Sequence, residues 1–159
     1  IVAFSALMIG IVTAFTSIYS AYVDRTYARA SVWPRLEIFR SFSQGAFSYG
    51  VDNNGTGPAI IKYARVKYEG KPIKEWVDVP AFKDIRQSYI GNRTLPAQKS
   101  ISPVVYKGEN TGAILQADKS ISIELCYCSI YDECWVIDRE NKPLAVEQCS
   151  IPDNQKFLQ

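Results

Sequence analysis

Residues 120–137 read SISIELCYCSIYDECWVI, and their alternation decides what kind of domain the chain builds after its first segment. From Ser120 to Cys128 the apolar side chains Ile121, Ile123, Leu125 and Tyr127 occupy every second position, the period of a strand with one buried face. Cys126 and Cys128 then share the opposite face. A loop from Ser129 to Glu133 brings the chain back, which sets Cys128 opposite Cys134 and sends Trp135 and Ile137 inward beside Tyr127 and Leu125. If Leu144 and Val146 face inward on the next strand, Cys149 faces outward near Cys126. The predicted disulfides are therefore Cys128 with Cys134 and Cys126 with Cys149, one of the three connectivities that four cysteines allow.

Disulfides persist in oxidising compartments, so this pairing puts the domain outside the cytoplasm. Three other readings compete for the same residues. A zinc site with four Cys ligands has the right number, but the spacings lack the paired C-x₂₋₄-C knuckles such sites use. A redox-active C-x-C at Cys126 and Cys128 has no His or Lys beside it to stabilise a thiolate. Buried free thiols in a cytosolic domain are the third. No metal, no cofactor and no catalytic residue is expected.

Working outward, the same period recurs. Val32, Leu36 and Ile38 alternate with Trp33, Arg35 and Glu37, and Phe47, Tyr49 and Val51 alternate with Ser48 and Gly50. Further strands are expected at Ala59–Tyr68, Ser100–Tyr106, Ala113–Gln116, Cys134–Asp138 and Leu144–Cys149. Asp52-Asn53-Asn54-Gly55 and Glu69-Gly70-Lys71-Pro72 read as turns, and Gly55-Thr56-Gly57-Pro58 as a turn rather than a phosphate loop. One helix is expected near residues 78–91: Asp78 caps, Pro80 suits the first turn, Ala81, Phe82, Ile85 and Tyr89 share a face, and Gly91 closes it. The expected fold is mainly β, an antiparallel immunoglobulin-like β-sandwich with one short helix, behind an N-terminal transmembrane helix.

That N-terminal helix rests on IVAFSALMIGIVTAFTSIYSAYV, residues 1–23, which contains no charge and no proline. At 1.5 Å per residue it spans the roughly 30 Å hydrocarbon layer. Tyr19 and Tyr22 sit at aromatic-belt depth, and Asp24, Arg25 and Arg29 follow among headgroups. The stretch is longer than the apolar region of a cleaved signal peptide. Ile at the first position, rather than Met, leads to the expectation that something has been lost from the front of the chain, as processing or truncation would do. Ala6, Gly10 and Ala14 recur every four residues, and Thr13, Ser17 and Ala21 form a second row, so another helix backbone can approach closely. The expected partners are the lipid bilayer and, through these rows, a second copy or a larger membrane protein. Tyr22, Arg25, Trp33 and Pro34 set how the chain leaves the membrane. Arg25, Arg29 and Arg35 taken alone favour a cytoplasmic domain; the cysteines argue the other way and carry more weight. The expected divisions are residues 1–29, 30–150 and a tail at 151–159.

Composition excludes much. With 159 residues, 18 Lys plus Arg, 16 Asp plus Glu and no His, the chain has no electrostatic case for nucleic acid. It can hold no Ser-His-Asp triad, no Cys-His dyad and no His-ligated metal. Asp132-Glu133 and Asp138 with Glu140 fall at hairpin ends and read as solvated turns, not a calcium loop. Asn54-Gly55-Thr56 and Asn92-Arg93-Thr94 fit the glycosylation sequon. Tyr63, Tyr68 and Trp76, near Lys62 and Lys67, read as core.

Tyr27-Ala28-Arg29-Ala30-Ser31-Val32-Trp33-Pro34, Asn53-Asn54-Gly55-Thr56-Gly57-Pro58-Ala59 and Cys126-Tyr127-Cys128 to Cys134-Trp135 resemble a group of small bacterial proteins with one N-terminal membrane helix and a β-rich extracytoplasmic domain. The resemblance implies that architecture and no activity. A weaker likeness is to type IV pilin-like subunits, which also begin with a bare apolar helix; their usual Glu at the fifth mature position is Ser5 here. The functional expectation is a non-enzymatic, membrane-anchored interaction or assembly module. The alternatives are a pilin-like filament subunit and a membrane-tethered thiol oxidoreductase using Cys126 and Cys128.

Overall fold

The structure is a computed structural model and describes residues 2–159, so Ile1 lies outside the described residues. The chain forms two compact units, one ending at Val32 and one starting at Trp33. The first is a single helix, α1 (Val2–Ser31), of 30 residues and so about 45 Å long. From Ala3 to Ser31 it is long and apolar enough to cross a membrane, and none of its apolar window is buried. It runs past the expected boundary at residue 29 because Ala28 and Ala30 favour helix, and it stops where Pro34 bars continuation.

The second unit holds ten strands: β1 (Leu36–Ser43), β2 (Ala46–Asn53), β3 (Ala59–Tyr68), β4 (Lys71–Ile73), β5 (Arg86–Gln87), β6 (Arg93–Leu95), β7 (Ser100–Lys107), β8 (Ile121–Cys128), β9 (Cys134–Asp138) and β10 (Leu144–Val146). One sheet has the order β1-β2-β7-β5, the other β10-β9-β8-β3-β4, with β6 also paired to β3. All pairs are antiparallel. Lettered in chain order, this is the A-B-E-D and G-F-C arrangement of an immunoglobulin-type sandwich, widened by β4 and β10. The sheets share one core. Leu36, Ile38, Phe47, Tyr49 and Val51 come from one side, and Val66, Ile123, Leu125, Tyr127, Trp135 and Ile137 from the other. Phe82, Trp76, Tyr49 and Phe47 form an aromatic cluster within it, with ring centroids 5.0–6.2 Å apart.

Four expectations need correction. Residues 78–91 are not a helix: two 3-10 turns, Trp76–Asp78 and Pro80–Phe82, lead into β5. Ala81, Phe82 and Ile85 do pack on the core, but Tyr89 is exposed, and β-branched Val77 and Val79 on either side of Asp78 disfavour a longer helix. The stretch Ala113–Gln116 is not a strand but part of a helix, α2 (Thr111–Asp118), which connects β7 to β8. Its buried residues Ile114, Ala117 and Asp118 follow a three-to-four residue period that the short window concealed. Val32 belongs to the turn after α1, and the strand starts only at Leu36. Leu144 and Val146 oppose Val136 and Cys134 rather than Trp135, so they lie on the cysteine face, and Leu144 is 70% exposed. A three-residue edge strand entered from Pro143 lies beyond the core, so burial does not dictate its phase.

The segment after β10 is no loose tail. Phe157 N–H donates to the Ala64 carbonyl, and Leu158 N–H to that of Lys74, at 2.9 Å each. Gln155 Oε1 accepts from Arg65, and the Phe157 ring meets Trp76 edge-on at 4.8 Å. On this side of β3, β6 covers Ala59–Ile61 and β4 covers Val66–Tyr68. Phe157 fills the gap between them.

Candidate functional site

Three arrangements carry functional interest: the small-residue rows of α1, the segment entering the β domain, and the cysteine face of β8.

On α1, Ala6, Gly10, Ala14, Thr13, Ser17 and Ala21 are all exposed, and a Cβ on Gly10 would meet nothing within 4 Å. The polar side chains among the rows are satisfied by their own helix. Thr13 Oγ1 donates within reach of the Ile9 and Gly10 carbonyls at 3.0 and 2.9 Å, and Ser17 Oγ donates to that of Thr13 at 2.8 Å. Such a surface presents low relief and no unmet hydrogen-bonding group, which suits close contact where no water is present. Tyr22 and Arg25 are also exposed.

Where the β domain begins, Trp33, Pro34 and Arg35 are gripped by the loop from Asn53 to Pro58. Asn53 is the hub, with 0% exposure. Its Oδ1 accepts from Arg35 N and Gly55 N, while its Nδ2 donates toward the carbonyls of Gly57, Leu95 and Pro96 at 2.8–3.2 Å. The Trp33 carbonyl accepts from Thr56 N and Gly57 N, and Asn54 N donates to the Arg35 carbonyl. A Cβ on Gly55 would collide with the Trp33 carbonyl oxygen and the Arg35 amide, so only glycine allows this approach. Pro34 is buried, and the half-exposed Trp33 ring packs on Trp135 at 4.7 Å. The sequence marked this loop as a turn; that one amide organises both segments was not legible, because its partners lie up to 43 residues away.

A second buried hub is Asp118, 1% exposed, at the end of α2. It pairs with Arg40 of β1 and with Arg139, and accepts from the Tyr49 hydroxyl at 2.5 Å. Arg139 also donates to the carbonyls of Asp118 and Ile121. Both sheets are thereby tied to one carboxylate. Burial, and then the bond to Asp118, hold the Tyr49 phenol far above its ordinary value. Buried Tyr63, which donates to Glu124 at 3.1 Å, is pushed up to about 12, chiefly by desolvation. No residue pattern announced Asp118, which lies between the two strands expected at Ala113–Gln116 and Ser120–Cys128 and belongs to no motif.

On the cysteine face, disulfides join Cys126 to Cys149 and Cys128 to Cys134, with Cα separations of 5.6 and 4.0 Å. Cys128 and Cys134 are directly opposed in the β8–β9 register, as are Tyr127 and Trp135 and Leu125 and Ile137. Although this is the outer face of the sheet, Cys126 and Cys128 are fully buried. The two bridges touch, with Cys128 Sγ 3.7 Å from Cys149 Sγ. The sulfurs of Cys128, Cys134 and Cys149 lie within 4.8 Å of one another. While bonded in pairs they offer no thiolate to a metal. Asp138 and Glu140 serve the following turn, in which Asp138 Oδ1 accepts from Glu140 N and Glu140 pairs with Lys142.

No family model matches the chain, and no curated protein matches it. The functional reading therefore rests on this geometry.

Proposed function

We propose that the chain is a single-pass membrane protein whose β-sandwich works outside the cytoplasm as a non-enzymatic interaction or assembly module. The observation that carries the reading is α1: its residues 3–23 are apolar and charge-free, nothing in the fold buries its apolar window, and the Thr13, Thr16 and Ser17 hydroxyls are bonded to carbonyls of their own helix. Water disfavours so much exposed apolar area, whereas a bilayer requires it. The extracytoplasmic side is supported by the two disulfides. The small-residue rows support association with a second copy or with a larger membrane protein. The clamp on Trp33 to Arg35 supports a domain that is rigid from its first residues rather than frayed at its entry.

Two measurements test this. In cells expressing the chain, it should stay in the membrane pellet after an alkaline wash, and a protease added to spheroplasts should remove the β domain. Recovery in the soluble fraction, or a domain protected in intact spheroplasts and cut only after their lysis, would defeat the reading. A filament subunit is the second reading, favoured by the 30-residue uninterrupted length of α1. Long fibres by electron microscopy after detergent removal would support it, and small discrete assemblies would remove it.

A further inference from the structure

The two disulfides are in sulfur-to-sulfur contact, and they hold different things. Cys128–Cys134 closes a hairpin that the β8–β9 ladder already defines. Cys126–Cys149 fastens the start of the segment that crosses the sheet to Arg65, Ala64 and Lys74 and ends with the Phe157 plug. Cys149 is only half-buried, Cys134 is 7% exposed, and Cys126 and Cys128 are fully buried. An external reagent therefore meets Cys149 first.

We propose that these four cysteines form a thiol–disulfide exchange site whose substrate class is an external dithiol, and that the product is one defined isomer bridging Cys128 and Cys149. One thiolate of the dithiol attacks Cys149 Sγ; the Cys126–Cys149 bond breaks, and Cys126 leaves and takes up a proton. The second thiol of the reagent attacks the mixed disulfide, which releases the reagent as its own disulfide and leaves Cys149 as thiolate. Two electrons have now entered the protein. Cys149, 3.7 Å from Cys128, then attacks Cys128 Sγ; the Cys128–Cys134 bond breaks, the Cys128–Cys149 bond forms, and Cys134 leaves and is protonated. This last step is an exchange with no net change in oxidation state. Entry at Cys134 instead gives the same product, because Cys128 is then the thiolate that attacks Cys149. Both released groups have places as neutral thiols: Cys126 fully buried on the outer face of its sheet, and Cys134 with Sγ 3.5 Å from the Asp132 carbonyl. The crossing segment becomes fastened two residues further along β8, a displacement of about 7 Å.

The test uses the full chain in detergent. It is treated with a single equivalent of dithiothreitol, quenched in acid, unfolded, alkylated and mapped by peptide mass spectrometry without reduction. The expected result is alkylation at Cys126 and Cys134 together with a Cys128–Cys149 peptide. Alkylation at Cys126 and Cys149 with Cys128–Cys134 kept would overturn the proposal, and so would alkylation at Cys128 and Cys134 with Cys126–Cys149 kept. Two variants check the route without reductant. Cys134→Ser should show at least about tenfold more alkylatable Cys126 than Cys128→Ser, since only the first retains the Cys128 thiol, whose sulfur is in 3.7 Å contact with that of Cys149. Equal labelling of Cys126 in the two would sink it, and the wild-type experiment stands even if a variant fails to fold.

Discussion

The helix and the sandwich draw on the same kinds of residue and use them in opposite ways. In α1, Phe4, Phe15 and Ile18 are about 70% exposed, and Thr and Ser turn their hydroxyls back onto the helix. In the β domain, Phe47, Tyr49 and Ile61 are about 1% exposed, and the buried polar groups of Asn53 and Asp118 each tie together several distant strands and loops. The Thr13, Thr16 and Ser17 hydroxyls thus act locally, whereas Asn53 and Asp118 reach across the domain. One unit is held by the hydrogen bonds of its own helix. The other is held by contacts remote in sequence.

That contrast can be broken by substitution, and the largest effect should fall on Asn53. Asn53→Ala strands the Arg35 and Gly55 amides and three carbonyls, so the β domain should lose about 4 kcal/mol in denaturant titration followed by tryptophan fluorescence. All three tryptophans lie in the β domain, which makes the signal specific. A loss below about 1 kcal/mol would mean that the clamp is incidental. Phe157→Ala should cost about 3 kcal/mol by emptying the gap beside Trp76. Asp118→Asn should cost about 2 kcal/mol, because Arg40 and Arg139 are partly exposed and regain water.

Alkaline pH is a gentler probe of the same domain. Tyr63, with its folded value raised from 10.0 to about 12, gives up its proton more readily in the unfolded chain. Its contribution is complete below pH 10 and is lost as pH climbs through about 12; Tyr49, raised further, acts in the same direction. Melting temperature should therefore fall from pH 10 upward, and a flat profile there would contradict the buried phenols. The smallest expected effect on the domain comes from the helix. Gly10→Leu should leave domain stability within about 0.5 kcal/mol while weakening self-association in detergent, as read by sedimentation. A domain destabilised by that change would erase the distinction between the units.

Legibility in the sequence divides along the same line. Strands β3 and β9 appear with their expected bounds because period-two burial is local and unambiguous in Ala59–Tyr68 and Cys134–Asp138. The cysteine pairing emerges from the register of β8 and β9, even though the phase expected for β10 is opposite to the one observed. Residues 78–91 and 111–118 mislead because short segments packed onto a sandwich take their conformation from the part of the core they plug. Asn53, Asp118 and Phe157 are invisible as hubs because most of their partners lie far off in sequence, up to 93 residues away, and no local pattern encodes such meetings.

Strand β1 lies at the edge of its sheet, and at Ile38 its outward backbone groups are met by a side chain instead of a strand. Asn141 Oδ1 accepts from Ile38 N at 2.7 Å, and its Nδ2 donates to the Ile38 carbonyl at 2.9 Å. These residues are 103 apart in sequence, so the cover arrives only after almost the whole domain has been made. Until then β1 is a bare template, and an identical chain held beside it could pair there first. The order of synthesis makes crowding during folding the period of greatest risk, and a slower release of the stretch carrying Asn141 would lengthen it.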